Sequence, residues 1–367
     1  MKSLFNNIYN KKKVFITGHT GFKGSWLLLW LAKLNAEITG YSLPPNTNPN
    51  HIDLLKINYN SIYGDICDFS KLESSIIRNK PEIIFHLAAQ PLVLNSYLNP
   101  MNTIQTNIIG TTNILEICRK LPFIKALVII TSDKCYLNKN DITKVYNEND
   151  KLGGKDPYSA SKACVEILSK SYQSSFFSLK DYKIKHNLLI ATARAGNVIG
   201  GGDWSLNRII PDIVKKAVNR EKVEIRNPYS IRPWQFVLES LSGYLTLGQK
   251  LLEEKSLYAQ SWNFGPSLND SFNVLQMLEK FQKYWGKIDY KFLNVSSQKL
   301  EADFLKLDSS KANKFLSWKP IYNLEQTLLN TSDWYKEYYI KKTPISIKQL
   351  NNYIDFAKKQ NLSWALE

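Results

Sequence analysis

The sequence has little of what would mark it for a membrane, for export or for a metal centre. No apolar run approaches the roughly 18 residues that a membrane-spanning helix needs. The amino terminus, MKSLFNNIYNKKK, lacks the apolar core of a signal peptide, so the expectation is a cytoplasmic protein with no membrane insertion. There are only four cysteines in 367 residues. Cys67, Cys118, Cys135 and Cys164 are scattered and form no C-x-x-C pair, which argues against a disulfide framework and against a zinc site, and no metal is expected. Charge is plentiful but nowhere concentrated: the formal net charge is +16, yet the only lysine run is Lys11 to Lys13. Such a balance gives a general attraction to phosphate and not a nucleic-acid surface, so no nucleic-acid partner is expected.

What is present is the composition of an ordinary globular chain, 44% hydrophobic and 22% charged. Its length allows a large core, arranged as one large domain with an appended lobe or as two domains sharing a cleft. The organising stretch is KKKVFITGHTGFKGSWLLLW, from Lys11 to Trp30. Val14 to Thr17 reads as a strand and Phe22 to Leu34 as a helix, with Gly18, Gly21 and Gly24 between and at the helix start. A glycine triplet in that context lets the chain turn sharply, admits a pyrophosphate against the backbone and packs helix on strand. The helix N-terminus then meets the anion with unpaired N–H groups and a partial positive charge.

Strands and helices alternate from there. Glu37 to Leu43, Ile62 to Asp65, Glu82 to Leu87, Ala126 to Ser132 and Asn187 to Arg194 read as strands; Ser70 to Arg78, Thr103 to Lys120 and Pro157 to Phe177 read as helices. Continuous apolar strands such as ALVIITS suit a parallel sheet covered on both faces. The expected fold is α/β, a Rossmann-type doubly wound parallel sheet with a smaller mixed α/β substrate-binding lobe, the ligand lying beyond the carboxyl ends of the strands. The second strand ends on Tyr41 and Ser42 where an acid would hold an adenosine ribose, which leaves NAD against NADP open. The expected division is 1–195 for the dinucleotide-binding domain with its Tyr/Lys helix, 196–345 mainly for the substrate lobe with returns to the sheet, and 346–367 for a helical tail.

Tyr158 and Lys162 form Y-x-x-x-K, which puts both side chains on one face of a helix. A tyrosine hydroxyl, with a reference pKa of about 10, serves as a base near neutrality only if positive charge stabilises the phenolate. Lys162 can supply that charge. In isolation the pair could equally be a surface tyrosine over a lysine stem. Ser132, at the end of the fifth strand, adds a hydroxyl able to share a substrate proton.

The glycine turn, Leu87-Ala88-Ala89, Ser132 and the Tyr158/Lys162 pair together resemble the extended short-chain dehydrogenase/reductase superfamily of nucleotide-sugar enzymes. Gly18 to Trp26, Thr131 to Tyr136, Gly196 to Trp204, Ile231 to Gln235, Leu307 to Lys311 and Trp318 to Pro320 are similar, within it, to the 4,6-dehydratases acting on CDP-glucose, over nearly the whole chain. The resemblance implies a lyase. Tyr158 removes the 4-hydroxyl proton while hydride passes from carbon 4 to NAD, water leaves across carbons 5 and 6, and hydride returns to carbon 6. Elimination needs an acid and a base. Asp133 and Lys134, directly after Ser132, are placed to supply them, and which does which stays open. The resemblance further implies a cofactor site of Gly18, His19, Gly21, Phe22, Lys23, Gly24, Asp65, Ile66, Leu87, Ala88 and Ala89 with Tyr158 and Lys162. It implies substrate contacts from Asn197, Arg208 and Arg232, a CDP-sugar partner and a homodimer. A dehydratase or 4-epimerase for another nucleotide sugar, and an inactive nucleotide-binding scaffold, are the alternatives.

Overall fold

The computed structural model describes residues 4–268, 270–293 and 304–366. At its centre, seven strands form one sheet: β1 (Lys13–Thr17), β2 (Glu37–Ser42), β3 (Asn60–Tyr63), β4 (Ile83–His86), β5 (Ala126–Ile130), β6 (Leu189–Arg194) and β7 (Ser261–Asn263). Their order across the sheet is β7-β6-β5-β4-β1-β2-β3, and every neighbouring pair is parallel. Strands β4, β5 and β6 are buried at every position because helices cover both faces. The order reverses between β1 and β4, so the crevice of a doubly wound sheet opens there.

The covering helices are α1 (Phe22–Lys33), α2 (Phe69–Asn79), α3 (Gly110–Lys120), α4 (Pro157–Ser175), α5 (Ile209–Val218), α6 (Val237–Leu252), α7 (Val274–Trp285), α8 (Leu324–Lys341) and α9 (Ser346–Lys359). Helix α1 is buried from Gly24 to Leu31 because it lies between the sheet and later chain. Trp30 meets the ring edges of Tyr353 and Trp364, and Phe5 stacks on Trp364 at 5.2 Å. The tail therefore seals the core, each large apolar side chain contributing about 1.5–3 kcal/mol through burial.

Three two-stranded pairs build the smaller lobe: Val198–Ile199 with Gln235–Phe236, Ile231–Arg232 with Phe272–Asn273, and Val223–Ile225 with Tyr290–Phe292. The chain then rejoins the main sheet through β7, whose three residues are too few to show a periodicity in sequence.

Some element ends differ from the expectation. Strand β3 stops at Tyr63, not Asp65, because Gly64 packs under the Tyr41 hydroxyl and Asp65 Oδ1 accepts the Cys67 N–H at 2.8 Å, turning the chain. Helix α2 is capped by Asp68, which accepts the Lys71 N–H at 3.0 Å, and not by Ser70. The helix expected from Thr103 begins at Pro100 and contains one wide turn at Gln105–Ile109 before α3. There the Asn107 side chain binds both backbone groups of Gln90 and donates to Ser161 Oγ at 2.8 Å, tying the loop after β4 to α4.

Candidate active site

Two of the three turn glycines are required by the protein itself. Gly18 has φ +76°, and a Cβ on it would stand 2.7 Å from the Ala88 nitrogen; a Cβ on Gly24 would stand 2.1 Å from the Gly18 oxygen. Gly21 differs. Its Cβ would meet only the Gly18 oxygen at 3.4 Å, an ordinary approach, so internal packing does not demand glycine there. Gly21 is the N-cap of α1, with no side chain capping the first turn and no acid within it. The open face of Gly21 and the uncapped N–H groups fit a pyrophosphate.

Around this turn the structure sorts the expected cofactor residues. Leu87, Ala88 and Ala89 are half-buried at the end of β4, beside Gly18. His19 is buried with its ring over Gly40, its Nε2 3.1 Å from Ser61 Oγ, and burial lowers it to about 4, so it is neutral. Asp65 is exposed just past β3, while the Ile66 side chain packs against Gly110, leaving only its backbone for a ligand. Ser42, at the position of the missing acid, shares a hydrogen bond with Thr20 at 2.7 Å. Phe22 and Lys23 stand at the large cavity beside the turn. Lys23 Nζ donates to Tyr244 OH at 3.3 Å.

That cavity, of about 730 Å³, gathers Lys23, Ser132, Asp133, Lys134, Tyr158, Asn197, Arg208 and Arg232. Strand β5 ends at Ile130, and Ser132 caps a single tight turn, Asp133–Cys135, beyond it. Ser132 Oγ donates to Asp133 Oδ1 at 2.9 Å. Asp133 is 1% exposed and its Oδ2 has no hydrogen-bond partner within the protein. Lys134 Nζ is 4.0 Å from Asp133 Oδ1, with about a quarter of its side chain exposed. An acid and a base candidate thus sit side by side, one enclosed and one partly exposed.

Tyr158 and Lys162 lie on the first turns of α4, which starts at Pro157 under an Asp156 cap. Burial pushes the Tyr158 hydroxyl up to about 12, while a hydrogen bond with Ser132 and the Arg208 guanidinium draw it down. Burial lowers Lys162 to about 8, against the Glu166 carboxylate that raises it. Lys162 Nζ donates to the Ile130 carbonyl at 3.3 Å. On the opposite wall, Arg208 pairs with Asp203 at 2.9 Å and presents part of its side chain to the cavity. Asn197 holds a left-handed backbone, φ +46°, with its Nδ2 buried and unpartnered. Arg226 and Trp234 also line this wall and were not singled out individually in the sequence. Neither stands in a spacing that marks it. A larger omission is the buried pair Glu166–Arg194, at 2.8 Å behind the Asp133–Cys135 turn; its only sequence signal is the placing of Glu166 one helical turn after Lys162.

A doubly wound sheet with a glycine turn at its crevice, a strand-end serine and a Tyr-x-x-x-Lys helix define a protein of the extended short-chain dehydrogenase/reductase class. Within that class the chain belongs to the GDP-mannose 4,6 dehydratase family, whose model matches residues 15–331. It is 47% identical over 332 residues to a CDP-glucose 4,6-dehydratase of Salmonella typhimurium, covering 90% of this chain and 92% of that one. A dTDP-D-glucose 4,6-dehydratase of Dictyostelium discoideum is 32% identical over 228 residues, 58% of this chain and 50% of that one. Among solved structures, dTDP-glucose 4,6-dehydratase of Bacillus anthracis in complex with NAD superposes with a TM-score of 0.71 at 23% identity, covering 88% of this chain and 96% of that one. MoeE5 in complex with UDP-glucose and NAD gives 0.75 at 19%, over 89% and 99%. At those identities the likeness is one of fold.

Proposed function

We propose that this protein is an NAD-dependent lyase that dehydrates CDP-glucose to CDP-4-keto-6-deoxyglucose. The observation that carries the reading is the Asp133–Lys134 pair, set against Ser132 in the same cavity as Tyr158. A 4-epimerase needs the tyrosine but no acid/base pair. The CDP-glucose 4,6-dehydratase relative, nearly half identical over nine-tenths of both chains, supports the nucleotide. NAD fits the uncapped α1 N-terminus and the bare face of Gly21, and would be held by the turn from Gly18 to Gly24, by Asp65 and by Ala88 and Ala89.

Bound NAD supplies the hydride acceptor for carbon 4 and the donor for carbon 6. The protein does the rest. Tyr158, its negative form stabilised by Lys162, takes the 4-hydroxyl proton, and the Ser132 hydroxyl, on turning from Asp133, bonds the same substrate oxygen. With the ketone formed, the carbon 5 proton is acidic, and Asp133 and Lys134 divide its removal and the protonation of the leaving hydroxyl between them. Arg208, Arg232 and Asn197 hold the nucleotide diphosphate across the cavity.

On this reading residues 1–195 form the cofactor-binding domain, 196–345 mainly the sugar-nucleotide lobe and 346–367 a tail. A homodimer is supported by exposed Leu98, Met101, Ile109 and Ile167, carried on helical segments that pack against one another. A cytoplasmic location accords with the nucleotide-sugar substrate; no helix among the described residues is long and apolar enough to cross a membrane.

Purified protein given CDP-glucose is expected to form a 4-keto sugar, seen by its absorbance in base, without accumulating reduced cofactor. Turnover of dTDP-glucose or GDP-mannose with CDP-glucose inert would overturn the substrate assignment. Mass spectrometry of the cofactor released on denaturation distinguishes NAD from NADP.

A further inference from the structure

Behind the catalytic turn lies a charged pair that the reaction itself does not use. Glu166 is 2% exposed, on α4 one turn beyond Lys162, so Tyr158, Lys162 and Glu166 form a single stripe. Its Oε1 accepts the Thr131 hydroxyl at 2.5 Å. Its Oε2 accepts Thr192 Oγ1 at 2.7 Å, Arg194 Nη2 at 2.8 Å and Ser261 Oγ at 3.0 Å. One carboxylate thus joins the catalytic helix to the end of β5, to β6 and to β7. Arg194 continues the chain of contacts. Its Nη1 donates to Tyr136 OH at 2.7 Å, its guanidinium lies 5.0 Å from the Tyr136 ring centroid, and Tyr136 OH donates to Asn263 Oδ1 at 2.7 Å.

Thr131 and Tyr136 flank the segment Ser132-Asp133-Lys134-Cys135. Glu166 grips one end and Arg194 the other. A buried ion pair is a poor source of stability, since removing two charges from water costs about as much as their attraction returns. What this pair does supply is a fixed position for both ends of a four-residue turn.

Resting on the dehydratase reading, we infer that Glu166 and Arg194 are positioning residues for the reaction: their ion pair clamps the Ser132–Lys134 turn against the helix of Tyr158 and Lys162, setting the acid/base pair in register with the oxidising tyrosine. A displacement of about 1 Å at such a turn costs on the order of 100-fold in rate. Glu166 acts in a second way through Lys162. The groups facing the Lys162 ammonium are Glu166 on its own helix, Cys135 from the turn, His86 from β4 and Lys23 from α1, together with the Ile130 carbonyl. Lys23 repels the ammonium and burial holds His86 neutral, so Glu166 is the carboxylate that keeps Lys162 charged.

The test compares the holoenzyme with Glu166→Gln and with Thr131→Val, which removes only the hydroxyl gripping Oε1. Both are expected to lower kcat for CDP-glucose by about 10- to 100-fold with KM little changed, and to slow elimination more than isotope exchange at carbon 4. Glu166→Gln is also expected to move the basic limb of the kcat profile to lower pH, because Lys162 loses its proton sooner; Thr131→Val leaves the limb in place. If Glu166→Gln does not fold, Thr131→Val alone decides the clamp. A folded Glu166→Gln or Thr131→Val protein with the wild-type kcat would overturn the inference. A wild-type protein inert toward CDP-glucose would instead sink the reading on which it rests.

Discussion

Gly196 leaves open the space that Asp133 fills: a Cβ on Gly196 would stand 1.9 Å from Asp133 Oδ2 and 2.2 Å from its Cγ. The glycine lies just after β6, so the far side of the Asp133 carboxylate is shaped by the neighbouring strand. Gly196→Ala is therefore expected to push Asp133 off its position and cut dehydration by about 100-fold or more. The cofactor turn is untouched by this change, so bound dinucleotide should be retained. Steady-state rates with cofactor content measured on the same preparation check it, and a wild-type rate would show that Asp133 needs no such fixed place.

Lys134→Ala separates the half-reactions. The ammonium stands 4.0 Å from Asp133, whereas Tyr158 and Lys162, the residues proposed for the oxidation, lie on α4. Oxidation at carbon 4 should survive and elimination should fail. Deuterium at carbon 4 is expected to exchange with the cofactor in this variant while no 4-keto-6-deoxy product forms. Undiminished dehydration would remove Lys134 from the chemistry.

The turn glycines are predicted to fail in different ways. In Gly24→Ala the new methyl would stand 2.1 Å from the Gly18 carbonyl oxygen, so the strand-helix junction must open and the thermal midpoint should fall by several degrees. In Gly21→Ala the methyl meets nothing closer than 3.4 Å, and the protein should fold normally but release its dinucleotide. Thermal melts beside cofactor assays distinguish the two. A Gly21→Ala protein with full cofactor content would place the pyrophosphate elsewhere.

How much of this was written in the sequence depends on the range of the interaction concerned. The β1 turn and Tyr158/Lys162 were legible because their chemistry is set by spacings of three or four residues, and β4 and β5 because burial on both faces demands continuous apolar runs. Strand β7 was not, since three residues carry no period and their place comes from pairing with β6. Glu166 and Arg194 lie 28 residues apart and meet only when α4 packs over the sheet. The resemblance likewise puts Lys23 in the cofactor site without showing where its stem points. In the fold it reaches Tyr244, 221 residues onward, at the cavity that also holds Asp133 and Tyr158.

That position makes Lys23 sensitive to pH. Burial, with Lys162 and Arg208 as like-charged neighbours, lowers it from 10.5 to about 7, against the pull of Asp133. In the unfolded chain the amine keeps its ordinary value, so between about pH 7 and 10.5 the unfolded state binds the extra proton. Stability from this group therefore rises with pH across that window, and its cost to the fold is fully present below about pH 7. Lys23→Met removes the cost. The variant, freed of cofactor, is expected to melt higher than the wild type at pH 6, with the gap narrowing steadily as the pH is raised toward 10. A gap that stayed constant across that range would mean that Lys23 is charged in the fold throughout, as a solvated surface lysine would be.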